Sequence, residues 1–164
     1  MPTIAKNRIV RSVAPNSAIA DLKNVLSSAI SYNQGDLLFF DDALNLVKPV
    51  SADADCATFL GIAQQSVVSG VPKPVYQGTA VDASVAIEGL AGPAYGVEAK
   101  MKLKSGDVFN PGDLVYGTAV DAQTVSSAGT NAIGIYVDAA VTASSGSEGV
   151  VRLGLRFRTS GLVI

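Results

Sequence analysis

From residue 35 onward, short apolar or aromatic runs are bounded by Gly, Pro, Asn and Asp at intervals of about eight to twelve residues, the punctuation of an all-β chain. The runs 36–40, 44–47, 59–64, 85–87, 95–99, 108–109, 114–120, 132–137 and 150–157 predict strands. No helix is predicted among them. Pro72 and Pro74 demote 71–75 to an edge strand or a loop, because proline cannot donate to a ladder. Residues 89–93 predict a turn and 143–147 a flexible tip.

An approximate internal repeat is the strongest organisational signal. Gly35-Asp36-Leu37-Leu38-Phe39 returns as Gly112-Asp113-Leu114-Val115-Tyr116, and Leu60-Gly61-Ile62-Ala63 returns as Ile133-Gly134-Ile135-Tyr136. Glycine takes the positive φ of a turn, the following carboxylate accepts from backbone amides there, and the chain then enters the core as a strand. Lys104-Ser105-Gly106-Asp107 places a further such turn just ahead of Gly112. Related hairpins closing around one core are what a small barrel needs. The fold class is therefore all-β: a small β-barrel, tulip-like or SH3-like, in a single β-rich domain over 31–164.

Residues 1–30 form an N-terminal arm of different character. Lys6, Arg8, Arg11 and Lys23 face one acid, Asp21, and glycine is absent. Ser17 is placed to cap one short helix with Ile19, Leu22 and Leu26 at i, i+3 and i+7. Ile4, Ile9, Val10 and Val13 between the basic residues equally suit an extended segment that orders against a partner.

Composition narrows the chemistry. The 164 residues suit one domain, 48% of them are apolar, and only 16% are charged against about 25% in average domains. A subunit buried in an assembly can carry so few charges. With 12 basic against 14 acidic residues the net charge of −2 gives no field to gather nucleic acid. No run approaches the roughly 18 apolar residues of a membrane helix, and no basic start followed by an apolar stretch marks a secretory leader, so the expectation is a cytosolic product with neither nucleic acid nor membrane as partner.

The chain has no histidine and one cysteine, Cys56, which removes His-based acid–base sets, His-ligated zinc and any intrachain disulfide. Asp41, Asp42, Asp53 and Asp55 lack the ligand spacing of a calcium loop and read as turn residues. No phosphate-binding glycine motif is present. The expectation is no enzyme, no catalytic residue, no cofactor and no metal.

Three basic groups stand out. Arg152, Arg156 and Arg158 alternate with apolar residues, so one C-terminal strand would carry all three on one face, with no acid after Glu148 to neutralise them. Such a face is solvated or docks on an acidic protein surface through bidentate pairs, and DNA contact ranks third because three arginines without interleaved aromatics make a small footprint. Lys6, Arg8 and Arg11, with Ile9, make a second candidate contact in the arm. Lys100, Lys102 and Lys104 predict an edge strand guarded by charge.

The residues Asn33-Gln34-Gly35-Asp36-Leu37-Leu38-Phe39-Phe40, Leu60-Gly61-Ile62-Ala63, Pro111-Gly112-Asp113-Leu114-Val115-Tyr116 and Ala132-Ile133-Gly134-Ile135-Tyr136 resemble the capsid decoration, or cement, proteins of tailed bacteriophages. The resemblance spans roughly residues 28–158 through short, turn-like motifs. It implies a structural virion protein, commonly a homotrimer, on the exterior of the icosahedral head, assembled in the host cytoplasm and clamping the major capsid protein. Lys6, Arg8, Ile9, Arg11, Arg152, Arg156 and Arg158 are the expected capsid-binding residues. The alternatives are another head or tail component, such as a tube or completion protein, and a small β-barrel ligand-binding module.

Overall fold

A computed structural model describes residues 8–12, 30–44, 46–63, 66–73, 93–94, 97–154, 156–158 and 161–163. The predicted strand at 85–87 and the predicted helix after Ser17 lie outside them.

The all-β reading holds. The main sheet runs β1 (Arg8–Ser12), β8 (Val97–Leu103), β14 (Glu148–Leu153), β12 (Ala132–Tyr136) and β10 (Leu114–Tyr116), and β11 (Thr124–Val125) pairs in parallel with β8. Tyr116 and Ser126 exchange two backbone hydrogen bonds of 2.9 Å, joining β10 to the residue after β11. The order β8-β14-β12-β10-β11-β8 therefore forms a nearly closed small barrel.

A second sheet runs β3 (Leu46–Pro49), β2 (Leu37–Asp41), β4 (Phe59–Ala63) and β7 (Pro93–Ala94). Period-two alternation sends Leu37 and Phe39 to one face of β2 and Leu38 and Phe40 to the other. Leu37, Phe39 and Ile62 pack with Val97, Ala99, Met101, Leu103, Val115, Ile133, Val151 and Leu153 of the barrel in one core. Leu38 and Val47 join Ile30, Tyr32, Ala63 and Val67 in a second cluster. The short β5 (Ser66–Val68) and β6 (Val71–Lys73) form a hairpin turned by Ser69 (φ 50) and Gly70 (φ 77), two consecutive positive φ angles as a type I′ turn requires. The proline-bearing segment 71–73 is thus a strand of this two-stranded ribbon, consistent with its edge assignment.

The internal repeat is realised bond for bond. Gly35 donates to the Ala63 carbonyl and Ala63 donates back to Asp36, both at 2.8 Å. Gly112 and Asp113 do the same with Tyr136, and Gly106 and Asp107 with Ala143, at 2.8 Å throughout. The turn glycines have φ of 89, 94 and 90°, and the fourth residue of each turn donates to the carbonyl of the first. Register also repeats: Leu37↔Ile62, Leu38↔Gly61 and Phe39↔Phe59 in one copy, Leu114↔Ile135, Val115↔Gly134 and Tyr116↔Ala132 in the other, each with one bulged residue at the same place.

Four expectations change in detail. Residues 53–58 form a 3-10 helix (Asp53–Thr58), held by Asp55 Oδ2, which accepts from the Ser51 and Ala52 amides. The predicted strand 114–120 ends at Tyr116, because Gly117 lies against Cys56 Sγ and Val50 and begins a loop. The predicted strand 150–157 breaks after Leu153, where Gly154 donates to Ile133, and β15 (Arg156–Arg158) pairs instead with β16 (Gly161–Val163). Lys100 and Lys102 belong to a central strand, since β8 is bonded along both sides.

Candidate binding surfaces

The basic groups singled out by sequence are distributed over three places. Lys6 lies outside the described residues. Arg8, Ile9 and Arg11 belong to β1, which pairs antiparallel with β8 in the register Arg8↔Lys100, Ile9↔Ala99 and Arg11↔Glu98. Arg152 sits on β14 directly opposite Glu98, and its guanidinium donates to Glu98 Oε1 through Nη2 at 2.9 Å and Nε at 3.3 Å. Arg156 and Arg158 lie in the β15–β16 hairpin. The break at Gly154 prevents one strand from carrying all three arginines, and the acid that neutralises Arg152 comes from a neighbouring strand, 54 positions earlier.

The lysines are used in the same way. Lys100 Nζ is 3.3 Å from Glu148, Lys102 is 3.4 Å from Asp121 and Lys104 is 3.9 Å from Asp107. With Arg152–Glu98 these pairs cover the outer face of the barrel around β8 and β14 with alternating charge. The three lysine pairs, partly exposed, contribute about 0–1 kcal/mol each, whereas Glu98 is buried beneath Arg152. Their main effect is that this face is balanced in sign.

The acids act as turn clasps. Asp41 accepts from the Ala43 and Leu44 amides and from Lys48 Nζ at 2.9 Å, and the Lys48 bond holds its carboxyl below the ordinary value. Asp53 accepts from the Thr130 and Asn131 amides and so ties the 3-10 helix to the loop before β12. Among the described residues no three Cys, Asp or Glu side chains converge as a metal site. Cys56 is fully buried, and burial pushes its thiol up to about 12, which leaves it protonated and unreactive at neutral pH.

Sequence reasoning gave no sign of one cleft. A cleft of about 600 Å³ opens where the loop 119–123 meets Ser31 and Asn33 ahead of β2, Pro49 of β3 and Val67 of β5. Its floor is the buried Asp36–Gln123 pair: Gln123 Nε2 donates to Asp36 Oδ1 at 2.9 Å, while Asp36 Oδ2 accepts from the Asn33 amide at 2.8 Å. Burial raises the Asp36 carboxyl above its ordinary value, against the pull of the Asn33 and Gln123 hydrogen bonds. Val68 and Val120 stand half or more exposed at the rim. Five separate stretches of chain build this cleft, so only the repeated turn containing Asp36 was visible beforehand.

The chemistry within reach is recognition. Buried polar groups at the floor orient whatever enters, and the valines offer apolar contact, as in many binding clefts. No protein-family model and no curated protein sequence matches this chain.

Proposed function

We propose that the protein is a structural, non-enzymatic component of a tailed-phage virion that binds the outside of the icosahedral head and stabilises the lattice of the major capsid protein. One observation carries the reading. The residues that resemble the decoration proteins are the ones that build the two matching antiparallel strand pairs and their turns, so the resemblance rests on one repeated architectural unit.

The physics of such a role is linkage. A protein that binds only the assembled, expanded lattice adds its binding free energy to that state and opposes rupture by packaged DNA. Each contact can be modest, because it recurs over the shell. The low charge content suits burial between neighbours in a homotrimer, and Lys6 in the arm, with Arg8, Ile9 and Arg11 on the terminal strand β1, are the candidate contacts to capsid subunits. Arg156 and Arg158 remain candidates for carboxylates of the capsid. Arg152 enters the reading only as a strut, given its bond to Glu98.

The test is co-sedimentation of the purified protein with expanded, undecorated heads of the matching phage. Saturable binding at a fixed copy number per capsid subunit is the expected result. A dozen or fewer copies per head would identify a completion or tail component instead. No binding at all would favour the ligand-binding barrel, the reading to which the cleft beside Asp36 and Gln123 lends weight.

A further inference from the structure

The turn that recurs at 33–36, 104–107 and 110–113 does not need its acid buried. Asp113 is half-buried and Asp107 has Lys104 Nζ at 3.9 Å, yet both turns carry the same backbone bonds as the first. Asp36 is only 6% exposed and lines the cleft. It accepts from two neutral donors, the Asn33 amide at 2.8 Å and Gln123 Nε2 at 2.9 Å, and among the described residues no ion pair neutralises it. A carboxylate withdrawn from water without a cation is costly, and a positive charge brought to it from outside offsets that cost.

The surroundings sharpen the preference. Among the described lining residues one side chain is basic, Lys102, and its Nζ is 3.4 Å from Asp121 Oδ2. The Asp121 charge acts on Asp36 more strongly than the Lys102 charge does, so the field at the cleft floor is net negative. A carboxylate offers about four acceptor positions, and the two bonds already made to Asp36 leave room for the donors of a ligand. A bare metal ion would need a cage of oxygens, whereas no three acidic side chains converge among the described residues. The rim is carbon instead: Pro49, with Val68 and Val120 half or more exposed. A volume of about 600 Å³ suits a small organic group.

We propose that this cleft binds an organic ammonium group on an apolar stem, with the charge at Asp36 and the stem along Pro49, Val68 and Val120. The stem is that of a free alkylamine or of a lysine side chain, and the choice of probes separates these two sources. The inference concerns the purified chain alone and does not depend on head binding.

The experiment titrates isotope-labelled full-length protein with n-pentylamine, n-pentanol and pentanoate at one pH and reads the backbone amide chemical shifts. Pentylamine should give saturable shifts at Asn33, Val68 and Gln123 with a Kd of about 1 mM, as suits so small a ligand. The alcohol and the carboxylate should bind about tenfold more weakly, because neither brings a positive charge to Asp36. Comparable binding of pentanol, or no saturable shift with pentylamine at about 10 mM, overturns the proposal. Asp36→Asn keeps the shape and removes the charge, so it should weaken pentylamine about tenfold, while Asp113→Asn in the equivalent turn should leave the Kd unchanged. Val120 is exposed, so substitutions there probe the field without touching the Asp36–Gln123 bond: Val120→Lys should weaken pentylamine and Val120→Glu strengthen it, by about threefold each. Equal Kd values for the two Val120 variants, or unchanged binding in a folded Asp36→Asn, overturn the proposal. A lysine blocked at its α-amino and carboxyl groups serves as the last probe. Binding as tight as that of pentylamine assigns the stem to a lysine side chain, and exclusion of the blocked lysine while pentylamine binds assigns it to a free amine; each result upholds the ammonium site.

Discussion

Asp36 and Asp113 occupy the same place in two copies of one turn, and this gives a comparison with its own control. In both, the carboxylate accepts from the amide three residues earlier, at 2.8 Å, and Asp113 adds the Asn110 side-chain amide at 3.1 Å. Replacing Asp113 with Ala removes this local clasp at the surface, a loss of about 1 kcal/mol. Replacing Asp36 with Ala removes the same clasp and also the bond from Gln123, which joins the barrel loop to the second sheet across 87 positions. A hydrogen bond to a charged group contributes about 1.5–3 kcal/mol, and relief from burying the carboxylate returns part of it. The expected loss for Asp36→Ala is therefore about 3 kcal/mol, or about 2 kcal/mol more than at Asp113. With a urea dependence of about 2 kcal/mol per molar, the two midpoints should lie about 1 M apart, read by circular dichroism. Adding Gln123→Ala to each variant should leave the Asp113 loss additive and the Asp36 loss strongly non-additive. Equal midpoints for the two alanine variants, or additivity in both cycles, would refute the claim that the Asp36–Gln123 bond couples the two sheets.

Further outcomes follow from single features. Gly134→Ala drives a Cβ into the Arg152 backbone carbonyl, which cannot swing aside, so it should lower stability by about 1–3 kcal/mol in the same urea assay, whereas Gly146→Ala, with open space around it, should show only the strain of its φ of 83°. Burial works against the charged forms of Asp107 and Asp121, but donors from Ser126, Ser127 and Lys104 on the one, and Thr124, Gln123 and Lys102 on the other, hold both carboxyls below their ordinary value. Their contribution is present above the unfolded pKa and is lost as pH falls through the lowered one; stability measured through the acid range should decline, and less so in Asp107→Asn and Asp121→Asn. Asp36 runs the other way: its raised value makes stability fall as pH rises from the ordinary carboxylate range through the folded pKa, and Asp36→Asn should abolish that component. Cys56 should react with a thiol reagent only at the rate of unfolding, and rapid labelling of the native chain would contradict its burial.

What the sequence could say about this fold was set by the range of each interaction. A turn needs four residues, and Asn33-Gln34-Gly35-Asp36 carries its own instructions: a glycine for the positive φ and an acid whose oxygen meets a nearby amide. Hence the turns, the strands behind them and the repeat were legible. The 3-10 helix was not, because residues 53–58 carry no apolar stripe and are held by the upstream Ser51 and Ala52 amides donating to Asp55, with Asp53 bonded to a loop 77 and 78 positions away.

The basic stretches show where a local pattern has two solutions. Alternating lysine and apolar residues fit a guarded edge strand, but they fit equally a central strand of a barrel whose outer face is wet. Which of these forms depends on the partners of β8, and those partners are set by pairings 46 to 54 positions away between Lys102↔Glu148 and Glu98↔Arg152. The same logic governs Arg152: searching downstream of Glu148 for a neutralising acid finds none, yet the strand register delivers Glu98 from upstream. It also governs the cleft. Two copies of one turn were visible as equivalents, but their burial was not, since Asp36 is covered because Gln123 and the loop 119–123 close over it, whereas among the described residues no segment covers Asp113 in that way. A repeated motif thus specifies repeated local geometry, and the difference in environment between its copies is what long-range pairing adds; in this chain that difference is where the candidate binding cleft lies.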